Sequence, residues 1–365
     1  MKTARKAWMA AAAAALWFAG AGIAAEGESG ASTLPETLNQ QAVDAIERAV
    51  KFLVLAQRPD GGWNSDGGGY GTYPTTMTAL AGIALLAHGS TPTKGPEAAA
   101  VANCTDWILR NQTPQGLYAS AGENREMRSM YGHGFSMLFL SQVYGLEGSS
   151  ALGKRIHDSL LKAVDLSARS QSRPGGWNYG PDPSGDEGSV TVTQVHALRA
   201  VANAGIRVPK AVLDKCVQYL EGAQCPDGGI AYKFGMGGGS RPPISAAGLV
   251  SLLYAGRYDS PATRRLTAYV EKTFLKGGGM GRAGAFSGHH FYTHYYLGQS
   301  MWLSGDRLWR NYFLGEGGRE GARSMFLKSQ AVNGSWSGEC GPVYATAMAV
   351  TVLQLPFNYL PIYQR

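Results

Sequence analysis

Asp186 and Glu187 are adjacent carboxylates, residue types that act as a general acid and base when burial or a neighbour keeps one of them protonated. At the start of a helix the same pair is an N-cap, favoured there by the helix dipole, and the sequence leaves both roles open. Glu339 carries the same ambiguity. His290 and His294 lie four residues apart, which on a helix sets both rings on one face at metal-ligand spacing, with Asp186, Glu339 or Cys340 as third ligand to zinc. No definite third ligand accompanies them, so hydrogen bonding among Phe291, Tyr292, Tyr295 and Tyr296 is the simpler role. The expectation is no cofactor, with zinc the lesser alternative. Arg241, just before Pro242-Pro243, suits a bidentate grip on a carboxylate or phosphate, or a neutralising pair with Asp186. Cys340 is a nucleophile only with a histidine base beside it, and otherwise a buried thiol. The candidate catalytic set is Asp186, Glu187, Tyr131, His133, His294 and Glu339; the candidate ligand-binding set is Arg241, His290, Tyr292, Tyr295 and Tyr344.

These residues are spread from Tyr131 to Tyr344, more than half of the chain, and a repeat supplies the means of gathering them. Gln57, Gln112, Gln171, Gln224 and Gln330 each precede by six residues an anchor at Trp63, Tyr118, Trp177, Ile230 and Trp336. Between the two lie turn sequences such as Pro59-Asp60-Gly61-Gly62 and Pro226-Asp227-Gly228-Gly229, which stop a helix and reverse the chain. A degenerate sixth copy falls at Lys276-Gly277-Gly278-Gly279-Met280. Amphipathic segments precede the turns, as at Gln41 to Gln57, where Val43, Ile46, Val50, Leu53 and Val54 form one face. Segments apolar on most sides follow them: Thr75 to Ala87, Tyr131 to Tyr144, Val190 to Ala202, Ile244 to Tyr254, Tyr292 to Leu303 and Tyr344 to Leu355. Six outer and six inner helices in alternation predict an all-α fold, an α/α toroid of six helical hairpins, as a single domain over residues 37–365. An open solenoid, a bundle or two three-repeat domains are the other arrangements. In a toroid the starts of the inner helices ring one mouth of the cavity, and most of the candidate residues stand at those starts.

Gln, a short turn ending in Gly, then Trp, preceded by pairs such as Phe52-Leu53 and Tyr219-Leu220, resembles the QW repeat of the squalene cyclase and protein prenyltransferase superfamily. The resemblance covers the chain beyond its first segment. Met130-Tyr131-Gly132-His133-Gly134, Ser189-Val190-Thr191-Val192-Thr193 and Asn358-Tyr359-Leu360-Pro361-Ile362 resemble an exported bacterial branch of it. The resemblance implies a central cavity for an elongated, isoprenoid-like ligand, with Arg241, Asp186, Tyr131 and the His290 to His294 segment at its polar end. The Asp-x-Asp-Asp acid of class II cyclases and the Asp-Asp-x-x-Asp magnesium motif of ionising terpene synthases do not occur in the chain. His290-Phe291-Tyr292-Thr293-His294 echoes only part of the zinc-binding set of prenyltransferases. Whether catalysis follows binding is therefore open. A glycan lyase or hydrolase on the same fold, and a non-enzymatic interaction scaffold, are the alternatives.

Composition narrows the partners. With 44% hydrophobic and 16% charged residues the 365-residue chain is no candidate for disorder. Lys2, Arg5 and Lys6 precede the low-polarity run Trp8 to Ala25, so residues 1–25 read as a secretory signal peptide and the protein as exported, to the periplasm or beyond the cell. Loss of those three cations lowers the formal charge from +7 to +4, too little, and too scattered, for nucleic acid. No later segment is expected to span a membrane. The expected partner is a small lipid-like or glycan molecule; nothing in the sequence sets the oligomeric state.

Overall fold

The computed structural model describes residues 34–64, 72–120, 126, 128–147, 150–276 and 289–364. The proposed signal peptide, the turn of the degenerate sixth copy after Lys276, and residues 65–71 lie outside them. Residues from Pro35 onward form one compact unit.

The inner layer consists of α2 (Pro74–Ala87), α4 (Ser129–Glu147), α6 (Gly188–Asn203), α8 (Pro242–Tyr254), α10 (His290–Leu303) and α13 (Pro342–Gln354). Each packs against the next, and α13 packs back against α2, so the six close a ring and are not an open solenoid. Outside them stand α1 (Gln40–Leu55), α3 (Ala98–Arg110), α5 (Ala151–Arg169), α7 (Lys210–Gly222), α9 (Pro261–Val270) and, for the last unit, two short helices, α11 (Asp306–Leu314) and α12 (Ala322–Ser329). The sixth outer element is thus broken in two, at Gly315 to Gly321. No strand occurs among the described residues.

Sequence dictates the layers directly. Every residue of α2 is buried, as an inner helix flanked on all sides requires. In α1 the buried stripe is Ala42, Ala45, Ile46, Ala49, Val50 and Leu53. This corrects the expected face at its edges: Val43 is half-buried and Val54 exposed, while Ala42, Ala45 and Ala49 join Ile46, Val50 and Leu53 on the buried side.

The repeated turns share one hydrogen-bond pattern. Gln171 Nε2 donates to Gly175 O within its own turn (3.0 Å) and to Val212 O of the next outer helix (3.0 Å). Gln57, Gln112 and Gln224 do the same, reaching Ala100 O, Ser159 O and Ala262 O. Gln330 completes the circle by donating to Ala45 O of α1 at 2.8 Å. Gly175 shows why the turn needs glycine: its φ is +106°, and a Cβ there would lie 2.3 Å from Lys215 O of the neighbouring helix. Trp63, Trp177 and Trp336 are fully buried and donate from Nε1 to Leu53 O, Ser167 O and Phe326 O at 2.8–2.9 Å. Their role is packing, as their place in the repeat implies.

Candidate functional site

Inside the ring lies a cavity of about 690 Å³, within the usual size range of small-molecule sites. All six inner helices line it, each through residues of its first turns: Thr76 and Met77, Tyr131 and Phe135, Ser189, Pro242 to Ile244, Tyr292, and Tyr344 with Met348. The cavity therefore sits at the helix N-termini, where unpaired N–H groups point. Connecting loops add Tyr73, Arg128, Tyr179, Glu187, Tyr232, Arg241, His289, Glu339 and Cys340.

Of the residues expected at the site, Tyr131, Glu187, Arg241, Tyr292, Glu339 and Tyr344 line this cavity. Glu187 is the N-cap of its two readings, and from that position it also lines the cavity. Its Oε2 accepts from Val190 N–H (2.9 Å) and caps α6, while its Oε1 is buried without a hydrogen-bond partner. Ser189 Oγ donates to the same Oε2 at 2.6 Å, and Tyr131 hydroxyl is bonded to Ser189 Oγ. Glu187 and Glu339 belong to the starts of α6 and α13, three steps apart in a ring of six, and so stand on opposite sides of the mouth. Glu339 Oε1 and Tyr292 hydroxyl are likewise buried and unpartnered, as is Thr76 Oγ1. Burial raises the Glu339 carboxyl above its ordinary range, partly offset by a backbone hydrogen bond and by His289. It pushes the Cys340 thiol up to about 11, with Glu339 adding to the effect, so the thiol is protonated near neutrality and ill-suited as a nucleophile. The Tyr131, Tyr292 and Tyr344 phenols are all driven above their usual range by burial first and neighbouring acids or phenols second.

The remaining expected residues lie elsewhere. Asp186 Oδ1 accepts from Tyr219 hydroxyl (2.8 Å) and Phe234 N–H (3.1 Å), away from the cavity, and is not the partner of Arg241. His133 is fully buried in the turn framework: its Nδ1 faces Tyr118 N–H at 3.3 Å, and its Nε2 lies 3.1 Å from Ser167 Oγ. That is the position filled by Thr78, Thr191, Ser245 and Thr346 in other repeats, each accepting from the anchor N–H. Burial lowers His133 to about 4, so it is neutral. His290 and His294 do share a face, with ring centres 4.6 Å apart, but that face meets Phe326 and Tyr312, and His294 Nδ1 lies 3.0 Å from Tyr312 hydroxyl. Burial, with a smaller contribution from His290, takes His294 to about 3. Among the described residues no group of three His, Cys, Asp or Glu side chains is placed to hold a metal. Tyr295 bonds Tyr363 across the far end of the ring (3.1 Å).

Several lining residues were not anticipated. Arg128 stacks over the Tyr179 ring at 4.6 Å, which adds a second cation to the cavity lining besides Arg241. Tyr179 and Tyr232, joined hydroxyl to hydroxyl at 2.6 Å, each follow their repeat anchor by two residues, a regularity visible in the sequence. Just behind the lining, Glu126 is buried, accepts from Thr75 N–H at 2.5 Å, and is raised by burial to about 7 against the pull of Thr75 and Thr76.

The model of the prenyltransferase alpha-alpha toroid domain matches residues 29–143 and 139–306, well over half of the chain. The chain belongs to that family. Drimenyl diphosphate synthase of Streptomyces showdoensis is 26% identical over 188 residues, 51% of this chain and 32% of that relative, so the chain spans about a third of the curated relative's length. Among solved structures, a protein from Actinoplanes is 19% identical with a TM-score of 0.53, covering 87% of this chain and 99% of its own. Cellobiose 2-epimerase from Spirochaeta thermophila is 10% identical with a TM-score of 0.59, covering 87% and 96%. These two share the toroid fold with this family member. No helix among its described residues is long and apolar enough to cross a membrane.

Proposed function

We propose that this toroid binds an elongated, largely apolar, isoprenoid-like ligand, its chain among Met77, Phe135, Tyr292, Tyr344 and Met348 and its polar end against Arg128, Arg241, Glu187 and Glu339. The observation that carries the reading is the composition of the wall: an aromatic and thioether lining with its charged groups gathered where the inner helices begin. Apolar wall gives affinity and a few placed polar groups give orientation. The relative named for a drimenyl diphosphate supports a ligand of this kind. Residues 1–25 are read as an export signal, so the ligand is met outside the cytoplasm.

The test is native mass spectrometry of the protein purified without detergent, with organic extraction and metal analysis of the same sample, followed by titration with farnesol. A co-purifying lipid, or farnesol binding that Met77→Trp and Met348→Trp weaken at least about tenfold by filling the cavity, supports the reading. An empty protein that binds no farnesol overturns it. A glycan-active enzyme is the second reading, favoured by the opposed Glu187 and Glu339, which two-carboxylate sugar chemistry requires. Oligosaccharide cleavage by the same preparation is its signature.

A further inference from the structure

The hydrogen-bond directions at the mouth define a path for protons. Ser189 gives its one hydroxyl proton to Glu187 Oε2, so its oxygen accepts from Tyr131, and the Tyr131 oxygen keeps its lone pairs for a ligand. Glu187 is fully buried, its Oε2 is held by the α6 N-terminus, and its Oε1 has no protein partner in the cavity wall. Glu339 lines the same cavity from the start of α13, so the second carboxylate faces the same space. One glutamate whose charge is met by a helix N-terminus and a hydroxyl, opposite another whose burial favours the protonated form, is how acid and base are divided in a shared site.

We propose that the mouth is an acid-base site that removes water from, or adds it to, a hydroxylated carbon at the polar end of the bound chain. The inference rests on the amphiphile reading and specifies its chemistry. In the elimination direction Glu339 gives its proton to the departing hydroxyl as the C–O bond breaks. The proton on the adjacent carbon passes to the Tyr131 oxygen as the C=C bond forms; Tyr131 gives its own proton to Ser189, and Ser189 gives its own to Glu187 Oε2. The products are an alkene, water, a Glu339 carboxylate and a Glu187 carboxylic acid. Exchange with solvent resets both glutamates, and no oxidant, reductant or metal enters the balance. Tyr131 and Glu339 are the catalytic residues; Ser189 and Glu187 act through Tyr131.

The probe is nerolidol, a tertiary allylic alcohol with a fifteen-carbon backbone, incubated with the protein in ¹⁸O-water and followed by gas chromatography with mass detection. Formation of the dehydrated hydrocarbon, and ¹⁸O in the recovered alcohol, are expected of the wild type and absent in Glu339→Gln. Ser189→Ala is expected to slow both by about 100-fold with nerolidol affinity unchanged, and Ser189→Thr to restore them. Ser189→Ala at wild-type rate overturns the relay. A wild type that binds nerolidol but yields neither signal overturns the proposal while leaving the binding reading intact. Failure to bind nerolidol, farnesol or any co-purifying lipid overturns the binding reading itself.

Discussion

The repeated turns and the cavity mouth are built from consecutive stretches of the same chain, yet they treat polar atoms in opposite ways. In the five described turns that carry the glutamine the scheme repeats: glutamine to two carbonyls, anchor N–H to a hydroxyl or imidazole of the inner helix and, where the anchor is tryptophan, Nε1 to its own outer helix. At the mouth the starts of the inner helices present Thr76, Tyr131, Ser189, Pro243, Tyr292 and Tyr344, no two neighbours alike except the last pair, and four lining residues, Thr76, Glu187, Tyr292 and Glu339, have a buried side-chain atom with no partner. What repeats holds the fold, and what fails to repeat faces the cavity.

Variants sharpen that contrast, and the largest effect belongs to the turns. Trp177→Ala empties a fully buried site and removes the bond to Ser167 O, and is expected to cost about 3–5 kcal/mol in urea unfolding. Glu126, between the two regions, should show a pH signature. Its folded value near 7 against an ordinary 4.5 means that the folded protein keeps a proton the unfolded chain has released. Stability from this group is complete below pH 4.5 and declines as pH rises to 7, by up to about 3 kcal/mol. Glu126→Gln should abolish that decline and leave the variant more stable than wild type above pH 7, measured by unfolding across pH 4–8. Thr191→Val deprives Trp177 N–H of its acceptor and should cost about 1–3 kcal/mol. At the mouth, Tyr292→Phe removes a hydroxyl that has no partner, so stability should stay within about 0.5 kcal/mol while farnesol affinity changes. A mouth variant that unfolds the protein, or a turn variant that leaves stability intact, would break the distinction.

How much of this was legible in the sequence follows from the same division. The glutamine-to-anchor spacing revealed the hairpins, and the inner helices were bounded to within three residues, because turn chemistry and burial leave strong local marks. The starts of the inner helices were rightly expected to ring the cavity. Which side chain at each start looks inward was harder. Asp186 and Glu187 precede α6, and the Glu187 backbone is extended (φ −152°, ψ 132°), a conformation that sends successive side chains to opposite sides. One carboxylate therefore enters the cavity and the other meets Tyr219. His290 and His294 were correctly placed on a common face, but a helix buried all round has no polar side to say which neighbour that face meets. Arg128 and Glu126 lie ahead of α4 in a connection without periodicity, so no pattern singled them out.

The bond from Gln330 to Ala45 joins residues 285 positions apart. A chain emerging from the ribosome can stack its early hairpins as they appear, but α1 keeps one flank bare until the last turn has been made. The ring thus has a final, long-range closing step, and a slow folding phase sensitive to Gln330→Ala and insensitive to Gln112→Ala would be its kinetic trace.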